Sequence, residues 1–123
     1  MAEKKYISKI KKNYNFVGVY SITNKTNGKI YVGSSTKLLD RIKQHEKALI
    51  AGKHFCKAMQ EDYDAGHRFQ FDILELFITK SDYPYGKYRR IFKIDELEKK
   101  YIQLYDCVKS GYNTFPTIKE SVS

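Results

Sequence analysis

The stretch from Gly18 to His45 constrains the fold of this 123-residue chain more than any other part of it. It reads GVYSITNKTNGKIYVGSSTKLLDRIKQH, two short runs of β-branched and aromatic residues followed by an amphipathic segment. The runs are joined by a polar turn that ends in Asn27-Gly28, a dipeptide that accepts the positive φ angles of a tight hairpin. Gly33 is predicted to turn the chain out of the second run. We therefore predict a β-hairpin that leads directly into a helix.

The helix predicted over residues 37–50 directs two polar side chains toward the protein interior. On a helical wheel at about 100° per residue, its apolar positions form one stripe. They are Leu38, Ile42 and Leu49. His45 falls within this stripe, and Arg41 lies one turn earlier at its edge. Both groups should therefore lie at the rim of the core, close to the hairpin.

The rest of the chain predicts one further strand and two further helices. Alternating aromatic and polar residues predict a strand over residues 69–78. Residues 55–65 and 90–107 are predicted as helices, and residues 81–88 as a loop. The buried faces of the two helices are predicted to carry Phe55, Met59 and Tyr63, and Ile91, Ile94, Tyr101, Ile102 and Tyr105. At this length the elements form one domain, which we place at residues 16–115.

The charge of the chain favours a polyanionic partner. The formal net charge is +9, from 23 basic and 14 acidic residues, which suits nucleic acid or an acidic membrane surface. Lysines concentrate in residues 1–15, which form either a solvated terminus or a basic arm that adds phosphate contacts. Residues 116–123 are predicted as a tail. Arginine is rare in the chain, so Arg41 stands out, because a guanidinium can hold phosphate oxygens bidentately.

The cysteine pattern and the hydropathy place the chain inside the cell. Cys56 and Cys107 lie far apart and form no CxxC pair, so the spacing of a zinc site is absent. Both are predicted as buried thiols in a reducing compartment. No apolar run approaches the ~20 residues of a membrane span, and the N-terminus lacks a signal-peptide core. The sequence therefore predicts a cytoplasmic protein that does not enter a membrane.

One carboxylate falls inside the apolar stripe of the last predicted helix. Glu98 lies between Ile94 and Tyr101 on that face. Burying an unpaired carboxylate costs several kcal/mol, so a compensating group is expected. A salt bridge with a core-facing cation such as Arg41 would supply it, and so would a bound metal ion. The helical pattern alone does not distinguish a salt bridge from a bound metal ion.

The hairpin, the helix after it and the late glutamate together resemble the GIY-YIG nuclease family, most closely the catalytic domains of phage intron-associated (homing) endonucleases. The residues that carry the resemblance are Gly18-Val19-Tyr20, Ile30-Tyr31-Val32-Gly33, Arg41, His45, Glu98 and Asn113. The resemblance runs over residues 16–114. It implies an α+β fold, an α/β sandwich in which helices flank a small three-stranded antiparallel sheet. The strands and helices predicted above agree with that fold.

The resemblance also implies roles for the central residues. Glu98 would hold a single divalent ion, Mg²⁺ or Mn²⁺, and one carboxylate suits Mg²⁺ because this ion keeps most of its waters. Arg41 would clamp the scissile phosphate, unless it is a structural salt-bridge partner of Glu98 or Asp40. Tyr20 would be the general base for water. The ordinary pKa of tyrosine is ~10, so this role needs a nearby cation such as Lys29 or the metal.

The remaining site residues have less specific roles. Tyr31 would position water or phosphate, although either tyrosine alone could equally be a core aromatic. His45 could hydrogen-bond a catalytic tyrosine, relay its proton, or simply lie at the core edge. His54 is a weaker candidate, and Asn113 either braces the site or forms a turn. The predicted DNA contacts are Lys37, Arg41 and Lys43.

Together these observations predict a metal-dependent endonuclease that hydrolyses phosphodiester bonds in duplex DNA, by a nick or by a double-strand cut. A nucleic-acid-binding module that no longer cuts is the alternative from another class, and a repair or restriction nuclease of the same family is a second. The sequence does not decide between a homodimer and a separate targeting partner, and it does not identify the target sequence.

Overall fold

The structure is a computed structural model, and it describes residues 14–80 and 85–113. Its centre is one antiparallel sheet of three strands, β1 (Tyr14–Asn24), β2 (Ile30–Ser35) and β3 (Phe69–Lys80). The strand order is β2-β1-β3. The predicted hairpin is the β1–β2 pair, and Gly28 in its turn has a φ of 81°. The predicted three-stranded antiparallel sheet is confirmed.

Helices cover both faces of this sheet. They are α1 (Leu38–Ala51), α2 (Lys57–Asp64), α3 (Tyr85–Phe92), α4 (Ile94–Leu104) and α5 (Cys107–Ser110). On one face, Tyr20 and Ile22 of β1 share a core with the apolar stripe of α1, which is buried as predicted. On the other face, Val19 packs with Ile102 and Cys107 of α4 and α5. The central strand is thus buried on both sides, and the predicted α+β sandwich is confirmed.

The region predicted as one last helix is divided. Lys93 has a left-handed backbone with φ of 51°, which separates α3 from α4. The prediction of a loop over residues 81–88 is wrong from Tyr85 onward, where α3 begins, and residues 81–84 lie outside the described residues. Ile91 is 54% exposed, because the break at Lys93 takes it out of the stripe that Ile94 continues.

The prediction that Phe55 lies on a buried helix face is also wrong. Gly52, with a φ of 74°, ends α1 as predicted, but α2 begins only at Lys57. Phe55 therefore lies in the connecting loop and is 62% exposed. Met59, predicted on the same face, is fully buried. The loop holds one large aromatic ring at the surface while the helix fills the core.

Two glycines allow close packing around the central strand. Gly18 lies against β3, where an added Cβ atom would be 2.9 Å from the carbonyl carbon of Glu75. Gly33 pairs with Tyr20 across the hairpin, and an added Cβ atom there would be 2.5 Å from the Tyr20 Cζ atom. The prediction that Gly33 turns the chain is wrong. It lies within β2, and its missing side chain makes room for a phenol ring.

Within the described ranges, no helix is both long and apolar enough to cross a membrane. Cys107 is buried and Cys56 is half-buried, and both thiols are free. The prediction of buried thiols is therefore met fully by Cys107 and only partly by Cys56.

Candidate active site

An open cleft of about 330 Å³ lies where β2 ends, bordered by α1 and α4. Its lining residues are Tyr20, Tyr31, Gly33, Ser34, Arg41, Phe55, Arg89, Asp95 and Glu98. Four of the five predicted catalytic residues therefore meet at one place. The fifth, His45, contacts Tyr20 from the core. The hairpin, α1 and α4 thus contribute to a single site.

Tyr20 is held in one position by its neighbours. Its side chain is only 1% exposed, and its ring lies across Gly33 on the adjacent strand. Its hydroxyl and His45 Nε2 are 2.7 Å apart and hydrogen-bonded. The rings of Tyr20 and Tyr31 have centroids 6.3 Å apart, and each also packs against the His45 imidazole. The phenol therefore has little freedom to rotate or shift.

Replacing Gly33 with Ala is expected to destabilise the protein by about 1–3 kcal/mol, because the added methyl group occupies the space of the Tyr20 ring. The ring would have to move away from His45, so the hydrogen bond between them would lengthen or break. Urea unfolding measures the first effect, and a crystal structure of the variant measures the second. Lys47→Ala, at an exposed position of α1, is the control and should unfold at the wild-type urea concentration. A Gly33→Ala protein with wild-type stability and an intact Tyr20–His45 hydrogen bond would contradict the packing described here.

Burial raises the pKa of both phenols above their ordinary value of 10.0. At Tyr20 burial is the largest effect, and the hydrogen bond and positive charge of Arg41 oppose it. The negative charge of Glu98 adds to the increase in pKa. The Lys29 ammonium group instead lies 5.7 Å from the centroid of the Tyr112 ring. Arg41, rather than Lys29, is thus the cation that lowers the pKa of Tyr20, and both phenols are neutral at physiological pH.

Two histidines continue inward from Tyr20 in one hydrogen-bonded series. His45 Nδ1 lies 2.8 Å from His54 Nε2, and the backbone N–H of Cys56 donates to His54 Nδ1 at 3.0 Å. Both imidazoles are buried. Burial, followed by the charges of His54 and Arg41, lowers the pKa of His45 to about 3. Burial is also the largest cause of the lowered pKa of His54, so both rings are neutral at physiological pH.

Glu98 reaches the cleft from α4 and is buried, as predicted. The Ser34 hydroxyl donates to Glu98 Oε1 at 2.6 Å. Beside it, Arg89 Nη1 forms a salt bridge of 2.7 Å with Asp95 Oδ1 and contacts Ser34 Oγ at 3.4 Å. This end of the cleft therefore carries two carboxylates and a second guanidinium.

Three residues of this end of the cleft, Ser34, Arg89 and Asp95, are absent from the predicted site. Strand alternation could have found Ser34, because the residue after Gly33 must face the opposite side of the sheet, where α4 packs. Arg89 lies close to a predicted loop, so no helical wheel could place it. Asp95 was on the predicted last helix, but the break at Lys93 decides its direction relative to α3.

The donor set at this end fits a hydrated divalent cation. Across the described part of the chain, no three His, Cys, Asp or Glu side chains are grouped to hold a metal ion. The carboxylates that line the cleft are Glu98 and Asp95, and Asp95 is already paired with Arg89. Mg²⁺ is commonly bound through one or two carboxylates, with waters and phosphate oxygens as its other ligands. Structural zinc needs more nitrogen or sulfur ligands than this site offers. Glu98 is thus the residue that could hold such an ion.

Arg41 of α1 also lines the cleft. It is half-buried, its Nη1 atom donates to Gln44 Oε1 at 3.3 Å, and its Cζ atom lies 6.0 Å from the centroid of the exposed Phe55 ring. Lys37 lines a neighbouring groove together with Arg41, and Lys43 is exposed. Both lysines are open to solvent near the site, and their contact with DNA stays a prediction.

Asn113 holds the free edge of β2 rather than entering the cleft. Its Oδ1 accepts from the Val32 backbone N–H at 2.8 Å, and its Nδ2 donates to the Val32 carbonyl at 2.9 Å. The N–H of Tyr112 adds a bond to the Ile30 carbonyl at 3.0 Å. The end of the described chain thus pairs with β2 as a further strand would, and fixes the strand that carries Tyr31.

Comparisons with known proteins agree on one protein family. The GIY-YIG catalytic domain model matches residues 16–113. Intron-associated endonuclease 1 of Enterobacteria phage T4 is 36% identical over 88 residues, which cover 68% of this chain and 34% of that protein. The chain therefore spans about a third of the length of this curated relative.

Two solved structures share the fold. A mutant of the catalytic domain of intron endonuclease I-TevI has a TM-score of 0.65 at 31% identity, covering 82% of this chain and 95% of that one. The catalytic domain of homing endonuclease I-TevI has a TM-score of 0.63 at 32% identity, covering 80% and 98%. The predicted resemblance and fold are confirmed.

Proposed function

The chain belongs to the GIY-YIG catalytic domain family, and from this premise we propose that it is a divalent-metal-dependent DNA endonuclease that hydrolyses phosphodiester bonds. The observation that carries the proposal is the convergence of two phenols, a guanidinium and a buried carboxylate on one open cleft. The relatives, an intron-associated endonuclease and the catalytic domain of a homing endonuclease, support the same activity.

Different residues of the cleft would perform different parts of the hydrolysis. Arg41 would bind a non-bridging oxygen of the scissile phosphate and stabilise the extra negative charge of the transition state. Glu98, oriented by Ser34, would hold one Mg²⁺ or Mn²⁺ ion. When bound, such an ion supplies positive charge near the phosphate and the departing 3′ oxygen. Tyr31 would position the water or the phosphate.

Tyr20 is the group that we assign to accept the proton of the attacking water. As a neutral phenol it cannot do so, and burial favours the neutral form. Arg41 is the cation of the cleft that lowers its pKa, and the hydrogen bond of Tyr31 acts in the same direction. Loss of the phenol proton before water attack is therefore a required step, and it becomes easier as positive charge gathers in the cleft.

We infer the biological role of the chain from its charge and from its relatives. A net charge of +9 favours association with DNA, and one relative comes from a bacteriophage. We therefore place the activity on DNA in the cytoplasm of an infected bacterium, in a homing-type role. A second copy of the chain or a targeting partner would supply the second strand cut or the sequence specificity.

Incubation of the purified chain with supercoiled plasmid is expected to convert the plasmid to nicked or linear DNA when Mg²⁺ or Mn²⁺ is present. Removal of the ion with a chelator should stop the reaction, and renewed addition should restore it. Conversion is measured on agarose gels, and a mobility-shift assay measures DNA binding in parallel. Binding without cleavage under every ion condition would identify a non-cleaving nucleic-acid-binding module and overturn the proposal.

A further inference from the structure

The series Tyr20, His45, His54 and the Cys56 backbone contains one donor whose direction cannot change. A backbone amide always carries its hydrogen, and the Cys56 N–H donates to His54 Nδ1 at 3.0 Å. His54 Nδ1 must therefore present a lone pair. Because the ring is neutral, its single hydrogen is on Nε2.

The same argument applies to the next ring. His54 Nε2 lies 2.8 Å from His45 Nδ1, so the hydrogen on His54 Nε2 points at that nitrogen. His45 Nδ1 must accept it, because two hydrogens cannot occupy one hydrogen bond. Neutral His45 then carries its own hydrogen on Nε2, which lies 2.7 Å from the Tyr20 hydroxyl.

We propose that His54 and the Cys56 backbone amide fix His45 as the Nε2–H tautomer, so that His45 donates a hydrogen bond to the Tyr20 oxygen and does not accept the tyrosine proton. All three hydrogen bonds of the series then run in one direction, from the backbone toward the phenol. His54 is a positioning residue, since it acts on the phenol only through His45. The lowered pKa of His45 agrees with a ring that stays neutral.

The loop that carries His54 is built to hold this orientation. The His54 backbone N–H donates to Gln60 Oε1 at 3.0 Å, and Gln60 Nε2 donates to the Leu49 carbonyl at 3.0 Å. Gln60 thereby ties the loop to the end of α1. The planes of the two hydrogen-bonded imidazoles differ by 29°, with centroids 5.0 Å apart, and Phe55 stacks on His54 at 4.6 Å. Neither ring can turn over without breaking these contacts.

This orientation has a consequence for catalysis, and that consequence rests on the proposed function. The Tyr20 oxygen already accepts from His45, so its own hydrogen points elsewhere and must leave toward the cleft, to water or to a phosphate oxygen. The phenolate that remains keeps the His45 donor and the Arg41 guanidinium as partners. When water attacks, its oxygen bonds to phosphorus and one of its protons goes to the phenolate. The bond from phosphorus to the 3′ oxygen breaks, and the 3′ oxygen leaves with the bonding electron pair and takes a proton from solvent. A proton relay from Tyr20 into the protein through His45 is excluded.

Long-range ¹H–¹⁵N NMR of the imidazoles tests the proposal directly, because protonated and unprotonated ring nitrogens have well-separated ¹⁵N shifts. At neutral pH, His45 and His54 are both expected to show a protonated Nε2 and an unprotonated Nδ1. A protonated Nδ1 on either ring would overturn the proposal. This measurement decides the tautomer whether or not the chain cleaves DNA, so a failure of the proposed function remains distinguishable.

Two variants at one position test the origin of the orientation. Cys56→Pro removes the amide hydrogen at a residue whose φ of −86° is close to that of proline, and Cys56→Ala keeps the hydrogen. The Pro variant should lose the single tautomer at both rings, and the Ala variant should keep it. On plasmid DNA, the Pro variant is expected to cleave about tenfold or more slowly than the Ala variant. Identical tautomers in the two variants would show that the backbone amide does not set the direction, and would overturn the proposal. If the Pro variant does not fold, the wild-type NMR spectrum alone decides.

Discussion

Replacing Glu98 with Gln is expected to reduce the rate of DNA cleavage by about a thousandfold or more, the largest effect of any single substitution in the cleft. Gln has the shape of Glu and can still accept from the Ser34 hydroxyl, so the local structure should persist. It lacks the negative charge that would hold a divalent ion. The rate is measured on supercoiled plasmid with saturating Mg²⁺ and again with Mn²⁺.

The control for this substitution is Glu96→Gln, the same chemical change on an exposed residue of the same helix. It should cleave at the wild-type rate. DNA binding by Glu98→Gln should be as tight as that of wild type or tighter, because a negative charge is lost from the cleft. A Glu98→Gln protein that cleaves within about tenfold of wild type would remove Glu98 from the proposed site.

Replacing Arg41 with Lys is expected to slow cleavage by about a hundredfold, although the charge is unchanged. Lysine presents a point charge, whereas the guanidinium can bond to a phosphate oxygen and to the Tyr20 hydroxyl at the same time. Two functions are therefore lost together. Single-turnover cleavage measures the effect, since it separates chemistry from DNA binding and product release.

The matched control is Arg90→Lys, on the exposed surface of α3 and outside the residues that line the cleft. It should affect plasmid binding slightly and single-turnover cleavage not at all. If Arg41→Lys and Arg90→Lys lower the single-turnover rate equally, then Arg41 acts through general charge, and the assignment to the scissile phosphate fails.

The cleft contains a second guanidinium, that of Arg89. Arg89 lies beside Ser34 and is held by Asp95, so its charge is largely balanced in the protein alone. Arg41 instead hydrogen-bonds the Tyr20 phenol and lies over the Phe55 ring. The two arginines that line the cleft therefore differ in their electrostatic settings, and Arg41, which among the described residues has no carboxylate partner as close as the Asp95 of Arg89, is the better suited of the two to bind an anion.

Several features of the site could be predicted from the sequence because they depend on local periodicity. The Asn27-Gly28 turn predicts the hairpin that brings Tyr20 and Tyr31 onto adjacent strands. The helical repeat directs His45 inward, and it places Glu98 on a buried face. Each of these is a statement about neighbours in one strand or one helix, where a fixed period of two or about 3.6 residues determines direction.

Other features could not be predicted because they depend on how separate elements pack. The left-handed backbone of Lys93 redirects α4 relative to α3, and so decides that Arg89 can reach Ser34. Phe55 lies outside the helix that its pattern suggested, since the loop after Gly52 runs further than the pattern indicated. Neither fact is visible in a helical wheel, because a wheel assumes that the helix is continuous.

By itself the sequence determined the three strands, the inward faces of α1 and α4, and the residue types that meet in the cleft, because periodicity and turn chemistry are local properties of the chain. Only the tertiary structure decided which of these groups touch, and in which direction the hydrogen bonds between them run. Tyr20, His45, His54 and Cys56 belong to three different elements, and a backbone amide sets the orientation of the whole series. That amide is present at every non-proline residue, so no side-chain pattern could have identified it before the chain was folded.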